Sequence, residues 1–210
     1  MKQKQMILIV AIFLLNICGQ TWKDVPKYYK SLAYVSFTNA LYYYLFKRHL
    51  LWEFTPGDMN WKILRKIHIF FISPLLVLFY LSKLPQSLPK QVLHTMKWIL
   101  ASVFVEHYVV KQKMLTFKYG WNTIWSGMIY LQMYVYSYLF LKKPVLTWIL
   151  SFCSIVFYMI KFKVPLTRRL LKGPYFLFFK KKRFPLKDRL KTITYPYYVY
   201  VSQELNRLKV

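Results

Sequence analysis

Glu106 is the one acid in this chain that lies inside a long apolar run, with His107 directly after it and Asn122 and Ser126 opening the next apolar run. A carboxylate in such surroundings is expensive to bury and marks a functional site by default. Two chemistries are open to this group of residues. A carboxylate beside an imidazole can relay protons, because partial burial and a near-neutral titrating ring bring both groups within range of physiological pH. A hydroxyl near both, that of Ser126, is a conceivable nucleophile. Adjacent helical residues point about 100° apart, so Glu106 and His107 do not form an in-line dyad by themselves. The plainer alternative is structural, with the buried carboxylate holding Lys113, Asn122 and tryptophan indoles in place, and it carries more weight than either chemistry.

The elements around this group are set by periodicity. Residues three, four or seven apart share a helix face, so Thr95, Ser102, Glu106 and Lys113 form one polar stripe. Asn122, Ser126, Ile129 and Met133 form another, with Gly127 beside it permitting close approach. Glu106 lies five residues before Lys111 and Ser126 five after Trp121, about 7 Å along each axis at 1.5 Å per residue. The two stripes therefore meet at one depth, on either side of a short basic hairpin from Lys111 to Gly120.

Composition indicates what surrounds these helices. Hydrophobic residues make up 57% of the chain and aromatics 20%, while Lys and Arg outnumber Asp and Glu by 32 to 6. A soluble domain spreads its polar residues along every element. Here the cations gather between apolar blocks of near-spanning length. The pattern predicts an all-α, polytopic transmembrane helical bundle over residues 1–160. Its spans are Met6 to Cys18, Ser31 to Phe46, Ile67 to Ser82, Val92 to Val110, Trp121 to Leu141 and Val145 to Ile160. The number is six, or five if Met1 to Gly19 is removed as a signal. Pro74 should kink the third span, Asn39 should act as interhelical glue in the second, and Pro144 suits the first turn of the sixth.

Counting Lys and Arg gives 2, 5, 3 and 14 in the segments of one side against 3, 2 and 2 on the other. The positive-inside bias then places both termini in the cytoplasm. In the basic loop from Lys47 to Lys66, Glu53 reads as an ion-pair partner for its neighbours, Pro56-Gly57 as a tight turn, and Asp58 or Asn60 as a helix cap.

Other chemistries lack their residues. His49, His68, His94 and His107 have neither HxxxH nor HExxH spacing. No Gly-rich phosphate loop or paired-carboxylate motif occurs, and Cys18 and Cys153 stand alone within apolar runs. No cofactor, metal or catalytic set is expected.

The chain resembles a poorly characterised family of small multispanning membrane proteins from endospore-forming, Bacillus-type bacteria. The resemblance rests on Leu51-Trp52-Glu53-Phe54, Pro74, Glu106, Gly120-Trp121, Trp125-Ser126 and Lys143-Pro144, and covers roughly Trp22 to Leu150. It implies a membrane location and a sporulating host, and brings no catalytic role with it.

Residues 161–210 form a basic, aromatic-rich tail. Arg168, Arg169, Lys180, Lys181, Lys182 and Arg183 alternate with apolar groups. Each cation near an anionic leaflet is worth about 1 kcal/mol, so the tail is expected to lie on anionic headgroups or against a membrane-protein partner. Nucleic-acid binding is disfavoured without a recognisable RNA- or DNA-binding fold. The expected role is structural or accessory. A small transporter or proton-coupled subunit using Glu106 comes second, and a membrane-embedded lipid-modifying enzyme third.

Overall fold

The computed structural model describes residues 2–47, 49–55 and 61–165. The tail cations Arg168 to Arg183, the Pro56-Gly57 turn and the caps expected at Asp58 or Asn60 lie outside the described residues.

Helix α1 spans Lys2–Cys18 and α2 spans Val25–Leu45. The two are bent by 75° at a short break. Gln20 turns the corner in the left-handed region at φ 53°, a 3₁₀ turn over Thr21–Asp24 follows, and the buried Thr21 hydroxyl donates to Asn16 Oδ1 over 2.6 Å. After β1, Trp52–Phe54, come α3 at Trp61–Ile67 and α4 at Ser73–Ser82, joined by a π-helical turn over His68–Ile72. That turn is where the proline expected to kink this segment acts. Pro74 has no N–H to give back along the helix, and the preceding Ser73 N–H reaches five residues back to the His68 carbonyl. Helix α5 spans Leu88–Lys111, β2 Leu115–Phe117, α6 Thr123–Lys142 and α7 Pro144–Lys161. Prolines in the first turns of α2, α4, α5 and α7 are preset for helix entry, where their missing N–H costs nothing.

The helices pack side by side, with α2 and α6 in the middle: α2 against α4 and α6, and α6 also against α5 and α7. Small buried hydroxyl residues let them approach closely. Ser31 donates to the Ser137 carbonyl, and Tyr34 bonds Ser151. The polar stripe foreseen on α5 is met by a row of tyrosines, since Thr95 bonds Tyr80 at 2.9 Å, Ser102 bonds Tyr134 at 2.7 Å, and Glu106 bonds Tyr130. Lys113 leaves the stripe, because α5 ends before it and it sits in a turn at φ 56°.

The segment Lys111 to Gly120 is not a self-contained hairpin. Its strand β2 pairs antiparallel with β1 from the other basic loop, in the register Trp52↔Phe117, Glu53↔Thr116 and Phe54↔Leu115. The ends of α2, α5 and α7 and the starts of α3 and α6 therefore meet at one end of the molecule, the ribbon end. There Phe46, Leu51, Trp121 and Phe162 share one buried cluster.

By length and composition, two helices could cross a membrane, Lys62–Ser82 and Pro144–Lys161, and the bent pair of α1 and α2 makes a third. The chain is thus mostly helical with two to three candidate membrane spans. The other helices expected to span are present as helices but fall short on hydropathy. Helix α5 carries Lys90, Lys97, Glu106 and Lys111, and α6 is rich in tyrosine.

Candidate functional site

Glu106, Ser126 and Tyr130 line one cavity of about 120 Å³ below the ribbon, between α5, α6, the π-helical turn and Leu8 of α1. Asn39, His68 and Ser73 add its other polar groups, and Trp52, Phe54, Trp121 and Met133 its apolar walls.

Each polar group is held from its own element. Tyr130 donates its phenol proton to Glu106 Oε2 at 2.9 Å. Ser126 lies beside the same carboxylate, but its hydroxyl accepts the Trp121 indole N–H at 3.0 Å. Glu106 Oε1 is buried with no hydrogen-bond partner among the described residues. His68 Nε2 lies 3.2 Å from the Ser73 hydroxyl, within the wide turn, while its Nδ1 is buried without a partner. Asn39 gives an amide N–H to the Val35 carbonyl of its own helix, at 3.0 Å, a bond within α2 and not between helices.

Two of the four expected site residues belong elsewhere. His107 is exposed and lies outside the cavity, as the 100° offset between neighbouring helical residues requires. Asn122 is the N-cap of α6, its Oδ1 accepting from the N–H groups of Ile124 at 3.0 Å and Trp125 at 3.2 Å. That is the usual work of Asn at this position. Lys113 is exposed, and Glu106 has no ion-pair partner among the described residues.

Sequence reasoning missed Tyr130, His68 and Ser73. Tyr130 lies four residues after Ser126, on the same face, but nineteen tyrosines in the chain hide it. The π turn that aims His68 inward has no sequence signal beyond the nearby Pro74.

The ribbon forms the roof. Tyr42 accepts from the backbone N–H of Leu51 at 3.1 Å, and its ring stacks on Trp52 at 5.3 Å with 8° between the planes. The Thr55 N–H to Met114 carbonyl bond, at 2.9 Å, and the Lys118 N–H to Leu51 carbonyl bond, at 2.8 Å, extend the pairing beyond both strand ends. Glu53 ties the roof down through Arg65 of α3 and, at 3.0 Å, Lys118 beyond β2. Partial burial works against the charged carboxylate. The bonds from Lys118 and Arg65 outweigh it and hold Glu53 below the ordinary carboxylate range.

Trp52 and Trp121 also wall a second cavity, about 140 Å³, on the other side of α2 and α6, with Tyr136 and Tyr158 among its lining.

The first cavity can bind but is not arranged for nucleophilic chemistry. The Ser126 hydroxyl is engaged by an indole, and the imidazole in the cavity bonds Ser73 instead of Ser126. Among the described residues no three His, Cys, Asp or Glu side chains gather as a metal site. Compared with known proteins, the chain matches no protein-family model, no curated protein and no solved structure.

Proposed function

We propose that the chain is a polytopic integral protein of the bacterial plasma membrane, crossing six times with both termini cytoplasmic, and that its role is accessory rather than catalytic. The observation that carries this reading is the outward surface of the packed helices. Val92, Met96, Leu100 and Phe104 of α5 are exposed, as are Val145, Ile149, Phe152 and Ile160 of α7. Exposed lysines sit at the helix ends, Lys111 and Lys118 at the ribbon end and Lys83 and Lys143 at the other. An apolar belt between two charged rims suits a bilayer, where each helix satisfies its own backbone. It supports crossing by α5 as well, since Glu106 turns into the cavity and the exposed Lys97, in the half of the helix nearer Lys83, has a stem long enough to snorkel.

The ribbon end is the cytoplasmic end in this reading, because α7 ends there at Lys161, the sequence that follows is strongly basic, and the positive-inside rule sets its side. That segment, with Arg168, Arg169 and the Lys180 to Arg183 run, holds anionic headgroups or a membrane-protein partner. The short aromatic motifs around Trp52 and Trp121 support an endospore-forming, Bacillus-type host.

Single cysteines introduced at Lys118 and Lys143, in a chain whose Cys18 and Cys153 are replaced by Ser, test the topology. A membrane-impermeant maleimide added outside intact cells should label position 143 and spare 118. Labelling of both from one side would end the six-crossing reading. For the accessory role, crosslinking from the basic segment should recover a defined membrane protein, or a peptide of residues 161–210 should bind anionic liposomes at low salt. Failure of both removes that role.

A second reading has its own observation. The unpartnered Oε1 of Glu106 inside a cavity suits a small transporter or proton-coupled subunit. Glu106→Gln should then abolish a pH-dependent flux in vesicles while leaving insertion intact, and unchanged flux discards it.

A further inference from the structure

We propose that the cavity around Glu106 is a binding site for a primary ammonium group, either a small free alkylamine or the headgroup of an aminophospholipid. The inference goes beyond the accessory role and does not depend on it.

The cavity presents a carboxylate with one oxygen already fixed by Tyr130 and the other, Oε1, buried and unanswered. A buried charge stays in place only where something pairs with it or neutralises it. Neither Lys nor Arg lines this space, so among the described residues the carboxyl has only a proton to neutralise it, and an ammonium from outside can take that proton's place. The remaining lining narrows the chemistry. An anion would meet the carboxylate, and a divalent metal would lack its three-ligand group. The walls include the aromatic rings of Trp52, Trp121 and Phe54, and aromatic rings attract ammonium groups. The bare Nδ1 of His68 gives an N–H-rich cation a further acceptor.

Size sets the upper limit. A dry cavity of about 150 Å³ admits benzene, and this one measures about 120 Å³. An ammonium with a two- or three-carbon stem fits, whereas a whole lipid does not. A lipid would therefore place only its ethanolamine end here.

The test uses the full chain in detergent, with n-propylammonium as probe and tryptophan fluorescence as readout, since two indoles wall the site. The expected result is a saturable change that n-propanol, similar in shape but uncharged, does not produce. The carboxylate–ammonium hydrogen bond is charge-assisted, so Glu106→Gln should weaken binding by at least about tenfold. Glu106→Asp, which keeps the charge at shorter reach, should fall between. Nanodiscs separate the two sources. If the headgroup is the occupant, phosphatidylethanolamine discs suppress the propylammonium response relative to phosphatidylcholine discs. If a free amine is the occupant, the two lipids give the same response. An equal response to propanol and propylammonium from the native chain overturns the proposal even if the Gln variant fails to fold. So does no response in detergent or either disc, or unchanged affinity in a folded Gln variant.

Discussion

The Tyr130 phenol meets the Glu106 carboxylate at 2.9 Å, across the packed faces of α5 and α6 and twenty-four residues away along the chain. The bond closes the last rung of a row in which Thr95, Ser102 and Glu106 of α5 are each answered by a tyrosine hydroxyl. Tyr130→Phe removes the donor to Oε2 and leaves the Ser126 hydroxyl as the polar neighbour of the carboxylate. The expected loss of stability is about 1 to 3 kcal/mol, the range for orphaning a buried acceptor. Thermal unfolding in detergent measures it, and an unchanged midpoint would show that the bond contributes nothing.

Glu53 should give the roof an acid limit. Its folded carboxyl titrates below the ordinary value of 4.5, so the ion pairs with Lys118 and Arg65 are fully present above that value and are lost as pH falls through the folded one. Trp52 fluorescence should hold steady from about pH 8 to about pH 5 and change only in stronger acid. Glu53→Gln should remove that acid transition. Lys118 is half exposed, which keeps the pair within about 1 kcal/mol. A transition that survives in the Gln variant would assign it to another group.

Gly19 is a close approach of the α1–α2 corner to Phe79 of α4. A Cβ there would stand 2.7 Å from Phe79 Cε2 and 3.0 Å from the Leu15 carbonyl oxygen. The Phe79 ring can swing, but the carbonyl cannot. Gly19→Ala should cost about 1 to 3 kcal/mol, as overpacking does. Faster proteolysis at the corner would report the loosening, and an unaltered digestion pattern would contradict it.

Asn122→Ala should lower stability by about 1 kcal/mol through loss of the α6 cap, while Asn122→Asp should restore it. If Asp fails where Asn succeeds, the side chain does something other than cap.

The meeting of Glu106 and Ser126 was legible in the sequence, because helical rise and period alone put them on facing stripes at one depth. So was the entry of α7 at Pro144, where proline chemistry is local. The pairing of Trp52–Phe54 with Leu115–Phe117 was not legible. Its partners are some sixty residues apart, and three-residue strands leave no alternation to read. His107 was grouped with Glu106 by adjacency in sequence, which a helix turns into separation. Asn122 was grouped with the site because it shares a helix face with Ser126, yet as the N-cap it spends its side chain on backbone N–H groups. Six apolar runs could be counted directly, but not that Tyr130, Tyr134 and Tyr136, which lower the hydropathy of α6, spend their hydroxyls on neighbouring helices.

During synthesis, the first strand of the ribbon leaves the ribosome long before its mate. Until Leu115–Phe117 arrives, Trp52–Phe54 has an open edge and Glu53 lacks Lys118, so the roof can form only after α5 has been made. A nascent chain stalled before that point would expose its tryptophan and an unmatched strand edge, and closing the ribbon is the step that ends this exposure.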